Sequence, residues 1–333
     1  MGVKTRLLII SDTHGKIFPI HEDEQRADVA IHCGDLTDES KIDEFRRTIE
    51  LLRRLPVPLK LVISGNHDLT LDEPAFRRAL SDTPQDIEPD LITREFGHFG
   101  ESRRLFEEAK DAGIVFLDEG NYQFTLENGA NLRIYASPYT PSNGGGAFQY
   151  PHHTNHDFAL AEGTHVSVTH GPPKGIMDYT DSKKRAGCPQ LFSAIAKTKP
   201  LLHCFGHIHE GWGAKLVTWR DHLGDSPSHF SAIDNDKSLV IEKLSNLSPS
   251  KFDTAESILE KTQRVQSYAN KGCCSTSHCL GDKNPINHGT QTLFINASIQ
   301  GRENELPVHP PWIVDIELPI SAVQPSKLLH TPE

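Results

Sequence analysis

Apolar and polar positions fall in short blocks along this chain, and the first third repeats one arrangement. An apolar run of strand length ends in glycine together with Asp, Asn or His: RLLIISDTHG at 6–15, ADVAIHCGD at 27–35 and LKLVISGNHD at 59–68. Unbroken apolar runs of this length, bounded by turn residues, read as strands buried on both faces. Between the last two, TDESKIDEFRRTIELLRRL spaces Ile42, Phe45, Ile49 and Leu52 along one helical face, with Thr37 or Asp38 as N-cap. Strand, helix, strand with polar residues at the strand C-termini predicts an α/β sheet whose site lies along that edge.

Further on, FTLENGANLRIYASP reads as a hairpin turning at Asn128-Gly129. THVSVTHGPP brings a strand to His170, and LLHCFGHIH brings one to His207 and His209, two imidazoles at i and i+2 of an extended segment. TLFINAS at 292–298 and PWIVDIEL at 311–318 read as closing strands. Residues 221–290 break the pattern, being rich in Ser, Asp, Asn and Lys. They are expected to form an insertion, partly disordered, with one amphipathic helix in DTAESILEKTQRVQSY capped by Asp253 and Glu256. The division expected is therefore one domain from 1–220 and 291–325, interrupted by 221–290. Within the insertion CCSTSHC (Cys273, Cys274, His278, Cys279) raises the thought of a zinc clip, but its spacing fits no ordinary tetrahedral pattern.

Composition narrows the partners. The 333 residues, 36% of them apolar, suffice for a substantial core. With 45 acidic against 34 basic residues the formal charge is −11, which opposes non-specific attraction to nucleic acid polymers or anionic lipid. A site for a phosphate ester would need its own concentrated positive charge, and bound divalent cations supply that. The start, MGVKTRLLIISDTHG, has too short an apolar stretch for a secretory segment, and Arg6 stands where a myristoylation pattern needs Ser or Thr. No run is long enough to span a membrane, so a cytoplasmic location without membrane attachment is expected, with Cys33 and Cys204 as small buried hydrophobes. In that setting the sequons at Asn246 and Asn296 carry little meaning.

Five strand ends then share one edge: Asp12-x-His14, Gly34-Asp35, Gly65-Asn66-His67-Asp68, His170-Gly171 and Gly206-His207-x-His209. Each alone also reads as a turn, cap or hydrogen-bonding residue. Together they gather carboxylates, an amide oxygen and imidazoles, a set whose mutual repulsion calls for cations. Mixed oxygen and nitrogen donors suit Mn, Fe or Zn.

These motifs, D-x-H, GD, GNHD, HG and GHIH in that order, resemble those of the calcineurin-like metallophosphoesterase superfamily over residues 6–213, with the likeness resuming at about 291. The resemblance implies two packed β-sheets flanked by helices, an αββα sandwich, with Asp12, His14, Asp35 and His209 holding one divalent ion. Asp35, Asn66, His170 and His207 would hold a second, Asp35 bridging, with Mn foremost and Fe or Zn as alternatives. HGPPKGIMD, ASPYTP, GHIHEGWG and INAS look like the metallophosphoesterase-domain-containing branch first noted in fetal brain, which implies hydrolysis of a small phosphodiester or nucleotide. Some members of that branch lack a ligating histidine; none is missing here. The insertion at 221–290 departs from the short connection expected in the branch.

The chemistry so implied is in-line displacement by a hydroxide held between two ions about 3.5–4 Å apart. His67, outside the ligand set, is placed to protonate the leaving oxygen or to stabilise phosphoryl charge, oriented by Asp38 or Asp68. Thr37 and Asp38 also read as capping residues. Tyr139, Phe148 and Trp212 lie near motif loops, to stack on a base or to cover core edges. The NGGG loop at 143–146 reads as flexible, and His152, His153 and His156 as solvated. Two other readings stand beside the diesterase. One is a phosphomonoesterase or protein phosphatase, against which Glu39-Ser40 stands where that group carries Arg-Gly. The other is a non-catalytic, metal-bound regulatory module, against which the complete motif set stands.

Overall fold

The computed structural model describes residues 2–82, 88–301 and 309–322. In chain order the elements are β1 (Gly2–Ile10), β2 (Val29–His32), α1 (Ile42–Arg54), β3 (Leu59–Val62), α2 (Glu73–Ser81), α3 (Pro89–Phe96), α4 (Glu101–Glu108), β4 (Ile114–Phe116), β5 (Gly120–Thr125) and β6 (Asn131–Ser137). There follow β7 (Thr140–Pro141), β8 (Gln149–Tyr150), β9 (Val166–Thr169), α5 (Pro189–Thr198), β10 (Leu202–Phe205), β11 (Gly213–Trp219), β12 (Ile233–Lys243), α6 (Ala255–Lys271), β13 (Cys274–Ser277), β14 (Gln291–Asn296) and β15 (Trp312–Pro319).

The strands form two main sheets, ordered β13-β15-β1-β2-β3-β4 and β12-β11-β14-β10-β9-β6-β5, beside a small β7-β8 ribbon. In the first, β1, β2, β3 and β4 run parallel; in the second, β6, β9, β10 and β14 do. Leu7 and Ile9 of β1 face inward with Val29, Ile31 and Leu61, against Leu132, Ile134, Val168, Leu202 and Ile295 of the other sheet. The alternate residues Leu8 and Ile10 face outward onto Phe45, Ile49 and Leu52 of α1 and Phe106 of α4. On the far side Phe205 and Phe294 pack beneath Leu191, Phe192 and Ile195 of α5. Each central strand is thus covered on both faces, which is why its sequence is an unbroken apolar run. The molecule is a mixed α/β fold with two sheets flanked by helices, as the resemblance implied.

Two local expectations shift by a few residues. Helix α1 begins at Ile42, after Lys41, because the Glu44 carboxylate collects the N–H groups of Glu39 and Lys41 at 3.0 Å each. Thr37 and Asp38 therefore lie in the loop before it. The cap of α6 is Thr254, whose hydroxyl accepts from Ser257 N–H, while Asp253 pairs with Lys261 at 2.8 Å. The hairpin turns as expected, with Gly129 at φ +85° between β5 and β6.

The stretch 221–290 enters both sheets. β12 pairs with β11 at one edge of the second sheet, and β13 pairs with β15 at one edge of the first. Glu242 of β12, buried, accepts from Tyr268 Oη at 2.7 Å and Arg264 Nη1 at 3.3 Å, which docks α6. Cys273, Cys274 and Cys279 are buried, and His278 is bonded to Thr276 Oγ1 and the Asn284 carbonyl. None of the four belongs to a group of donors able to hold a metal among the described residues, so the zinc clip is not formed. No helix among the described residues is long and apolar enough to cross a membrane.

Candidate metal centre

The five motif segments leave the C-terminal ends of β1, β2 and β3 in one sheet and of β9 and β10 in the other, and they converge where the two sheets meet. Cross-sheet hydrogen bonds hold the junction. His207 N–H donates to Asp12 Oδ1 at 3.0 Å, and the Cys33 carbonyl lies 2.9 Å from His170 Nδ1. Ile299 N–H donates to the Ser11 carbonyl at 2.9 Å.

The side chains sort into groups whose ligand atoms lie within 4.8 Å of one another: Asp12, His14 and His209, then Asp35, His170 and His207. Asn66 joins the second, its Oδ1 3.0 Å from His170 Nε2. Asp35 Oδ2 sits between the groups, 3.3 Å from His170 Nε2 and 3.9 Å from His14 Nε2. Asp12, His14, Asp35 and His207 all have φ between +47° and +68°. Left-handed backbone at a non-glycine residue costs about 1–3 kcal/mol, and four such residues at one site mark a constellation that the surrounding fold imposes. Glycine makes the approach possible. A Cβ on Gly65 would overlap Oδ1 of Asp35, and one on Gly206 would overlap Oδ2 of Asp12.

The donor set fits cations. His14 bonds through Nδ1 to the Thr37 carbonyl at 3.1 Å, so its proton resides there; its Nε2 is buried without a hydrogen-bond partner. His170 is arranged alike, with Nδ1 on a carbonyl and Nε2 turned to Asp35 and Asn66. A carbonyl on one ring nitrogen is the usual way of fixing the tautomer of a ligating histidine. Burial lowers the pKa of His14, partly offset by Asp35, and burial followed by the charge of His170 takes His207 down to about 4. Burial pushes Asp35 upward, but His170 and His14 outweigh it and the carboxyl stays below its ordinary range; His209 does the same for Asp12. Burial opposes charge on His170 and His209, but Asp35 raises the first to about 9 and Asp12 raises the second, so a divalent cation would displace a proton from each of these two, while His14 and His207 are already neutral.

His67 lies at the exposed mouth of the site, its ring edge-on to His14 at 4.8 Å. Its Nδ1 bonds to the backbone carbonyl of Asp38 at 2.7 Å. The Asp38 carboxylate, 55% exposed, instead stands 3.6 Å from His14 Nδ1. Asp68 is buried and accepts from the N–H groups of Leu36, Thr37 and Gly65 and from the Thr37 hydroxyl, which clamps the Asp35 loop to the Asn66 loop.

Burial decides one open reading and corrects another. Trp212 is fully buried, stacked on Trp312 at 5.0 Å with Nε1 on the Pro310 carbonyl, and so belongs to the core. His156 is not a solvated loop residue like His152 and His153: it is half-buried, with Nε2 2.7 Å from Glu119 Oε1. Sequence reasoning also passed over Asn296, fully buried, whose Nδ2 donates to the Ile208 carbonyl at 2.9 Å and so shapes the loop carrying His207 and His209. Its signals were its place at the end of the apolar run TLFIN and within INAS, where no role was attached to it.

The family model described as calcineurin-like phosphoesterase matches residues 5–211. The chain is 34% identical over 215 residues to metallophosphoesterase domain-containing protein 1 of Homo sapiens, and equally to that of Mus musculus, covering 63% of this chain and 62% of each relative. It is 32% identical over 217 residues to a probable rhamnogalacturonate lyase C of Emericella nidulans, covering 64% of this chain but 18% of that one. The chain thus spans about three fifths of the length of the human and mouse relatives. A purple acid phosphatase from yellow lupin (Lupinus luteus) seeds superposes over 93% of this chain and 47% of its own, with a TM-score of 0.38 and 11% identity.

Proposed function

The chain belongs to the calcineurin-like phosphoesterase family, and from that membership we propose that it is a metal-dependent phosphoester hydrolase acting as a phosphodiesterase on a small phosphodiester or nucleotide. The observation that carries the reading is the pair of donor groups meeting at Asp35, with the Nε2 atom of His14 buried and unpartnered. In this reading Asp12, His14, Asp35 and His209 hold one divalent ion, and Asp35, Asn66, His170 and His207 hold the other. Bound divalent ions supply a nucleophile from water at neutral pH and positive charge for the phosphoryl oxygens. The reading keeps manganese as the ion to test first and the cytoplasm as the setting.

The chain's own residues do the rest. Thr37 and Cys33 carbonyls hold a proton on Nδ1 of His14 and His170 and turn both Nε2 atoms into the site, unpartnered at His14 and facing Asn66 and Asp35 at His170. The positive-φ backbone at Asp12 and Asp35 aims both carboxylates into the cleft before any ligand arrives, so little reorganisation is left for binding. His67, with Nδ1–H on the Asp38 carbonyl, donates a proton from its other nitrogen to the departing alkoxide when protonated.

Metal-free protein resupplied with Mn²⁺ is expected to hydrolyse bis(p-nitrophenyl) phosphate, with Asp35→Asn as blank. Equal release of p-nitrophenol by wild type and the Asn variant would overturn the proposal. Turnover of p-nitrophenyl phosphate alone would replace a diesterase with a monoesterase.

A further inference from the structure

The loop from Tyr139 to Phe158 crosses the Asn66 side of the site. Its residues 140–150 make a tight loop whose two ends run parallel as β7 and β8: Thr140 N–H donates to the Phe148 carbonyl at 3.0 Å and Ser142 N–H to the Tyr150 carbonyl at 2.8 Å. From its tip, Ala147 N–H donates to the Asn66 carbonyl at 2.9 Å, and Phe148 N–H to Asp72 Oδ2 at 2.8 Å. Asn66 therefore has its amide on His170 and its own backbone carbonyl on this loop.

Tyr150 and Phe158 of the loop are buried in the cluster beneath α5, with Tyr150 Oη on Cys188 Sγ at 3.0 Å, and the stretch between them adds one more inward side chain. Residues 151–157 are exposed except His156, which is half-buried. Its ring is stacked between Tyr139 at 4.4 Å and Tyr150 at 5.2 Å, and meets Phe158 edge-on at 4.7 Å. Its Nε2 bonds to Glu119 Oε1, the same oxygen that accepts from Tyr135 Oη at 2.8 Å on β6. This imidazole thus joins Tyr139 and Tyr150, at the two ends of the loop, to Glu119 and through it to β6 of the second sheet, in addition to Tyr150's own bond to Cys188. Tyr139 in turn meets Phe148 edge-on at 5.8 Å, next to the amide that braces the tip.

We infer that His156, anchored on Glu119, is a positioning residue for Asn66: it latches the 139–150 loop, whose Ala147 N–H fixes the backbone carrying the amide ligand. The inference rests on the reading of Asn66 as a ligand of the second ion. Partners one step removed from a ligand are worth about 10- to 100-fold in metal affinity, and a latch two steps removed acts at the lower end of that range.

The test combines Mn²⁺ binding by calorimetry with amide hydrogen exchange on the whole chain, for wild type, His156→Ala, His156→Gln and Asn66→Ala. His156→Ala is expected to speed exchange of the 139–150 amides about tenfold while β10 and β14 keep their protection. It is expected to weaken the second Mn²⁺ step about tenfold and leave the first unchanged. His156→Gln, which restores a donor to Glu119 on a planar group, is expected to recover most of both effects. Unchanged exchange at 139–150, an unchanged second step, or equal acceleration across β10 and β14 would overturn the latch. Asn66→Ala separates the two readings: if it leaves both Mn²⁺ steps intact, the ligand assignment has failed; if it removes the second step while His156→Ala does not weaken it, only the latch has failed.

Discussion

His67 and Asp38 show how a residue's role depends on which of its atoms faces the site. The sequence paired them through the Asp38 side chain, but the bond to His67 Nδ1 comes from the Asp38 carbonyl, which any residue at that position would provide. His67→Ala is therefore expected to cut turnover about 10²–10⁴-fold, the usual worth of a positioned acid, with Mn²⁺ content intact. Asp38→Ala is expected to stay within about fivefold of wild type, because its half-exposed carboxylate lies 3.6 Å from a buried, neutral His14 and forms no ion pair there. Parallel kcat and metal analysis of both variants checks this; a loss at Asp38 as large as that at His67 would restore the carboxylate to the role. Gly65, just before Asn66, and Gly206, just before His207, mark strand ends in the sequence, and a side chain at either would strike a carboxylate of the site. Trp212 was left open and His156 misread for a common reason: an aromatic or imidazole in a loop carries no mark of which way it turns, and burial chose the core for Trp212 and went against the solvated reading of His156.

At the scale of elements, the central strands were legible because burial on both faces leaves no room for polar alternation. The pairing of β1 with β15 was not, for it joins residues some 300 apart; it is clipped by Asp315, which accepts from Arg6 Nε at 2.8 Å and lies 2.9 Å from Lys4 Nζ. Burial pushes the Asp315 carboxyl upward, but Arg6 and Lys4 outweigh it and hold the group below its ordinary 3.8. A carboxyl depressed in the folded state stabilises above the unfolded value and loses that contribution as pH falls through the folded one. Asp315→Asn is thus expected to be less stable than wild type by about 1–2 kcal/mol at pH 7, with both cationic partners partly exposed. Thermal unfolding should show that gap constant from pH 7 to about 5 and closing below about 4. A gap that does not narrow at all below pH 4 would mean that packing rather than charge is lost.

For the whole molecule, the donor groups draw on both sheets, so an ion bound there ties the two halves of the sandwich together. Mn²⁺ at a hundredfold its dissociation constant is expected to add about 2.7 kcal/mol to stability, and chelation to remove it. Differential scanning calorimetry of chelated and resupplied protein reads this as a shift in Tm; identical midpoints would mean that the folded chain has no preference for the ion. The stretch 221–290 has its place at this scale too, since β12 and β13 close one edge of each sheet although nothing in their polar sequence announces it. Edge strands are half solvated and need no apolar run, so their pattern resembles that of loops. By itself the sequence determined the buried strands, the order of the five polar strand ends and the residue types gathered there, because apolar periodicity and glycine-flanked motifs are local properties of the chain. Only the tertiary structure decided which carbonyl orients His67, which way Trp212 and His156 turn and how 221–290 joins the sheets. Those depend on contacts between segments far apart in sequence, and no local pattern encodes them.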